Sequence, residues 1–135
     1  MSALAEALVA AQAELPTAIG KDSEGQIQSR TYRYLSLDKL IEATRPILQK
    51  HGLALVQAPV WIERGNDAAL PGLRTALLHV SGESAESTMP LYVEPKTMQG
   101  LGAAITYARR YAWQSVLGIA AEEDTDASEK EPVPF

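Results

Sequence analysis

The sequence predicts an α+β domain in which an antiparallel β-β-β sheet carries one long packed helix, with two helices ahead of the sheet and a disordered acidic tail behind it. Two β-like runs, 53–63 and 73–80, are separated by Arg64-Gly65-Asn66-Asp67 and Pro71-Gly72, and a third short run, 88–93, follows Ser81-Gly82-Glu83; turn residues between β-prone runs mark hairpins. Over 98–119, Leu101, Ile105, Ala108, Ala112, Val116 and Ile119 keep to one stripe at 3.6 residues per turn, the mark of an amphipathic helix. Length and composition bound the rest: 135 residues, 46% hydrophobic and 21% charged, suit one core rather than two.

Taken in order, Leu4, Leu8, Ala11 and Leu15 are spaced as one narrow helical face over 2–15, which Pro16 ends. Residues 17–29 hold Gly20, Lys21, Asp22, Ser23, Glu24 and Gly25 and read as a mobile loop. Ser36 is placed to cap a second helix with Asp38 in its first turn, apolar Leu37, Leu40, Ile41, Ile47 and Leu48, and Gly52 as its stop. Pro46 is expected to bend or split it. Pro90 within the third strand run points to a sheet edge or a bulge. The long helix carries Arg110 half a turn away from its apolar stripe, with Tyr107, Ala103 and Gln114 around it, and Arg109 on the shoulder beside Thr106 and Trp113. Two units follow, a domain over 1–121 and an acidic tail over 122–135.

Charge separates along the same line. Six acidic residues of the tail, with Lys130 as its one base, account for the whole net charge of −5, so residues 1–121 are neutral overall. A pI near 5.0 therefore does not exclude nucleic acid. The absence of cysteine rules out disulfides and thiolate zinc sites, and nothing calls for an oxidising compartment, so a cytoplasmic location is expected. No lysine or arginine precedes the alanine-rich start and Glu6 interrupts it, unlike a secretion signal. No apolar run approaches the length of a membrane span.

Catalytic patterns are missing. The chain has no G-x-x-x-x-G-K-[ST] phosphate loop, and in Gly100-Leu101-Gly102 the third glycine of a dinucleotide site is replaced by Ile105. The glycines are better explained by close backbone approach at the start of a helix. His51 and His79 stand alone, Ser81-Gly82-Glu83-Ser84 lacks the glycines of a nucleophile elbow, and Asp124 with Asp126 is a solvated charge run rather than a metal pair. No cofactor or metal is expected. What remains is arginine interleaved with aromatics in two segments, Arg30-Thr31-Tyr32-Arg33-Tyr34 and Thr106 to Trp113, with Lys96 upstream of the second. Single strands are bound by this combination, because arginine neutralises phosphate while an aromatic face stacks a base. Ordinary helix packing with snorkelling arginines is the alternative.

Several of these residues also resemble a known family. Tyr32-x-Tyr34-x-x-Leu37-Asp38, His51-Gly52-Leu53, Thr75-x-Leu77-x-His79 before Ser81-Gly82-Glu83, Gln99-Gly100-x-Gly102-Ala103-x-x-Thr106-Tyr107-Ala108-Arg109-Arg110-Tyr111, Leu117-Gly118-Ile119 and Glu122-Glu123-Asp124-x-Asp126 are similar to the ERF family of phage and prophage single-strand annealing proteins. The resemblance implies a β-β-β-α core and a protein that binds single-stranded DNA without ATP, pairs complementary strands in recombination, and works as a homo-oligomeric ring or filament. It directs attention to Arg109, Arg110, Tyr107 and Tyr111 as DNA-binding residues, with Lys96 and Arg33 as phosphate contacts. Many members are longer; here the chain ends in an acidic run and Pro132-Val133-Pro134-Phe135, which resembles the tip of bacterial single-stranded-DNA-binding proteins. That second resemblance implies an adaptor that recruits host repair proteins through Asp124, Asp126, Pro134 and Phe135.

Overall fold

The computed structural model describes residues 2–122. Helix α1 (Ala3–Glu14) begins where the Ser2 hydroxyl accepts from the Ala5 N–H. The stretch expected to be a mobile loop instead forms two strands, β1 (Ala18–Ile19) and β2 (Ser23–Ile27). β2 turns back on β3 (Arg30–Tyr34) through Gln28 and Ser29, both at positive φ (52° and 67°). A type I′ two-residue hairpin turn needs that conformation at both positions, and without glycine or asparagine there the turn cannot be read from its composition.

Asp22 fixes the base of this hairpin to helix α2 (Leu37–Lys50). Its carboxylate accepts from the Ser36 N–H (2.7 Å) and the Ser36 hydroxyl (2.6 Å), while the Ser36 hydroxyl oxygen caps the helix by accepting from the Lys39 N–H. Helix α2 runs unsplit through Pro46. Its buried Leu40, Thr44 and Leu48 lie on one face, which anchors the turns either side of the proline.

Strands β4 (Leu53–Arg64), β5 (Asp67–His79) and β6 (Ser84–Pro90) form the antiparallel sheet in that order, so β5 is central. Both hairpin strands run further than expected, leaving a tight turn at Gly65 (φ +65°) in place of a long tip. Pro71 is accommodated because the ladder with β6 begins only at Gly72↔Pro90, beside it. β6 occupies 84–90 rather than 88–93, and Pro90 is the last residue of this edge strand. Its residues are nearly all exposed, so the alternation that announces a half-buried strand is missing.

Helix α3 (Met98–Leu117) is capped by the Thr97 hydroxyl, which accepts from the Gly100 N–H, and ends on left-handed Gly118. Strand β7 (Ala120–Ala121) then pairs in parallel with β1. All three helices lie on one face of the sheet. Leu53, Leu55 and Leu77 of that face join Ala11, Leu40, Leu48, Trp113 and Leu117 in the main core, and Leu73 joins Leu91 and Ala108 in a smaller one. Trp113 is fixed by donating its indole N–H to the Thr44 hydroxyl (2.9 Å). Among the described residues, the opposite sheet face, with Ala54, Val56, Val60, Ile62, Leu70 and Leu78, contributes to neither core.

Candidate nucleic-acid interface

The two arginine–tyrosine segments, far apart in sequence, meet in space. On β3 the period of two places Tyr32 and Tyr34 on one face, with ring centroids 5.7 Å apart. The Tyr32 ring lies across Gly25 of β2, where a Cβ would come within 2.6 Å of it. On α3, Tyr107, Arg110 and Tyr111 share one side through their i, i+3 and i+4 spacing, and the Tyr107 and Tyr111 rings stand 5.1 Å apart. Arg110 closes the cluster, its guanidinium carbon 4.7 Å from the Tyr34 centroid and 4.9 Å from that of Tyr107.

Arg110 is only 7% exposed. The expectation that it fronts a solvent-facing polar side of the helix is therefore corrected: Tyr34 of the β2–β3 hairpin lies over that side. Sandwiching a guanidinium between two aromatic faces favours the charged form in place through the ring quadrupoles. Burial, and then hydrogen bonding with Tyr111, pushes the Tyr107 hydroxyl well above its ordinary pKa. It stays a neutral phenol at any physiological pH and adds no negative charge opposite a phosphate.

Arg109 points to a different side. Its Nε donates to Gln57 Oε1 (3.2 Å), and Gln57 Nε2 donates in turn to the Arg109 carbonyl (3.2 Å) and to Thr75 Oγ1 (3.1 Å). Arg109 thus docks α3 onto β4 and β5 and stands outside the tyrosine cluster. Arg33 is exposed on β3, where its Nη2 donates to the Lys21 carbonyl (3.0 Å), and Arg30 is exposed at the hairpin turn. Lys96 is exposed in the turn before α3, whose first residue, Met98, lies about 18 Å along the helix axis from Arg110. Asp124, Asp126, Pro134 and Phe135 lie outside the described residues.

The structure thus joins Arg110, Tyr107 and Tyr111 with Tyr32 and Tyr34, sets Arg33 on the same hairpin but, by the strand period, on its opposite face, and leaves Arg109 and Lys96 apart. Tyr32 and Tyr34 lie in the first arginine–aromatic segment, but only the Tyr-x-Tyr alternation of a strand marks the two rings as one face, and the polar segment 17–29 ahead of it hides that strand. Gln57 gave no signal, since its role exists only in the packed sheet.

The glycines of the turns also find their reasons. A Cβ at Gly100 would lie 1.9 Å from the Pro95 carbonyl oxygen, whereas nothing lies within 4 Å of one at Gly102. Gly52 and Gly118 adopt left-handed backbone (φ 70° and 71°) where helices α2 and α3 end.

The model of the ERF superfamily matches residues 4–133, nearly the whole chain. The chain belongs to the ERF superfamily. At family level, ERF membership implies phage-type recombination by single-strand annealing and a DNA partner. The three helices and the antiparallel β4-β5-β6 sheet give this ERF chain the α+β fold that its sequence predicts. None of the curated proteins matches the chain. Among the described residues, no helix is long and apolar enough to cross a membrane.

Proposed function

We propose that this ERF protein binds single-stranded DNA on the tyrosine–arginine surface of β3 and α3 and anneals complementary strands without nucleotide hydrolysis, as an assembly of identical subunits in the bacterial host cytoplasm. The observation that carries the reading is the convergence of four tyrosines around Arg110 beside a hairpin bearing exposed Arg30 and Arg33. Aromatic faces stack bases of any identity, at about 1–3 kcal/mol each, and the arginines neutralise phosphates. The work of pairing comes from the bases, about 1.4 kcal/mol per stacked step, so the protein needs no catalytic site. It lowers the repulsion between strands and the search for register.

Because residues 1–121 carry no net charge, one subunit holds a strand weakly, and several subunits along one strand multiply the contacts. The open sheet face, with Val56 47% and Leu78 39% exposed beside the Arg74–Glu86 ion pair, supplies a surface for that assembly. The test is to mix two complementary fluorophore-labelled oligonucleotides with the protein, without nucleotide or metal, and follow pairing at low and high salt. Faster pairing that fades with salt is expected, and Tyr111→Ala should remove most of the gain. Pairing no faster than without protein would refute the proposal.

A further inference from the structure

A second aromatic and basic concavity lies at the far end of α3. The β4–β5 hairpin runs beyond the N-terminus of the helix, and its outer end and the segment leading from β6 to α3 form the two walls of a groove. Trp61 and its register partner Pro71 line one wall, Tyr92 and Lys96 the other, with Met98 and Arg64 at the rim. Trp61 is 71% exposed, Met98 81% and Tyr92 52%. An indole left in water forgoes the large stabilisation its burial gives, and exposed aromatics gathered in a concave patch mark a binding surface. Arg64 Nε donates to the Ala68 carbonyl (2.8 Å), which holds the guanidinium at the hairpin tip. Two cations against the single carboxylate of Glu94 leave the lining positive, although the first 121 residues as a whole are neutral. The groove is separate from the tyrosine cluster: Met98 precedes Tyr107 and Tyr111 by about 14 and 20 Å along the helix axis.

We propose that this groove is a second single-strand contact, in which Trp61 and Tyr92 stack bases and Lys96 and Arg64 neutralise the adjoining phosphates. The assignment rests on the strand-binding reading above and adds a site that does not share its residues. It accounts for Lys96, which the tyrosine cluster leaves out, and for an exposed tryptophan in a small domain. Two contacts about 14–20 Å apart along α3 also let one subunit hold a strand at two points, with the bases between them available for pairing.

The chain holds two tryptophans, and Trp113 is buried and hydrogen-bonded, so solvent-sensitive emission reports on Trp61. The experiment titrates the full chain with oligo(dT) at low salt, following tryptophan emission in one arm and the anisotropy of labelled oligo(dT) in the other. Saturable quenching is expected, and Trp61→Phe should abolish the emission change while keeping most of the affinity. Trp61→Ala should weaken binding about 5- to 100-fold, and Lys96→Ala should reduce the slope of log K against log salt by about 0.7. Trp113 emission confirms that the Trp61 variants remain folded. Binding by anisotropy with unchanged emission and full affinity in Trp61→Ala would overturn the second site and leave strand binding intact. No binding in either arm would remove both. Emission that answers to a peptide of residues 122–135 and not to oligo(dT) would reassign the groove to an acidic peptide.

Discussion

Arg110 shows how a residue's type and its surroundings divide the work. An arginine in an Arg-Arg pair on a helix suggests a phosphate contact, yet the guanidinium lies between the Tyr34 and Tyr107 rings and is 7% exposed. Its first effect is to hold β3 against α3 and so to fix the ring array. Arg110→Ala removes a desolvated cation–π contact and should cost about 2 kcal/mol of stability, read as a lower urea midpoint; an unchanged midpoint would place the tyrosines under other control. Glycine gives a sharper pair. Gly100→Ala sets a Cβ 1.9 Å from the Pro95 oxygen and must displace the turn ahead of α3, whereas Gly102→Ala meets nothing. The first should lower the melting temperature, and the second should raise stability by about 0.5–1 kcal/mol through the helix propensity of alanine.

At the scale of elements, the β2–β3 hairpin is the piece that completes the site, and carboxylates tie down its surroundings. Burial raises the affinity of Asp22 for its proton, but the two hydrogen bonds from Ser36 outweigh this and hold the group below its ordinary 3.8. Glu14, at the end of α1, is held below its ordinary 4.5 by Lys50 first and then by His51, both at the end of α2. For both groups the unfolded chain binds the proton more tightly. Their contribution is complete at neutral pH and is lost as pH falls through and below the ordinary carboxylate range. Urea midpoints measured from neutral to acid pH should therefore fall, and Asp22→Asn should start lower and fall less; parallel curves would show that Asp22 is not a source of the acid sensitivity. Ser29→Gly relieves a left-handed backbone and should stabilise the hairpin by up to about 1 kcal/mol.

Elements also show what the sequence makes legible. Helix α3 could be read because its stripe holds over five turns, and the β4–β5 hairpin because its runs are apolar. Residues 17–29 and β6 could not, because strands with exposed polar side chains carry no alternation, and Gln28-Ser29 is a hairpin turn without turn residues. Periodicity places the helix but not its buried sides: Leu101, Ile105, Ala112 and Val116 of the stripe are half-buried, whereas Trp113, expected on the polar shoulder, and Leu117 enter the main core. The burial of Arg110 beneath Tyr34 and the Arg109–Gln57 dock are properties of packing between segments.

On the scale of the whole molecule, the helices occupy one face of the sheet and the other stays open, with Val56 and Leu78 exposed beside the Arg74–Glu86 ion pair. Such a face suits stacking against another subunit. Val56→Asp should shift the protein toward monomer in sedimentation velocity and slow annealing while leaving the monomer folded; wild-type assembly in this variant would move the interface elsewhere. The proposed assembly sets the tyrosine clusters of successive subunits along one strand. The measurement that reaches this account most directly is the affinity for oligo(dT) across a salt series, for the wild-type chain and Arg33→Ala. Arg33 is exposed and is tied, among the described residues, by its Nη2 bond to the Lys21 carbonyl, so its loss should leave the fold intact. Weaker binding is expected, with a slope of log K against log salt reduced by about 0.7 for the lost phosphate contact. An unchanged affinity and slope would contradict it.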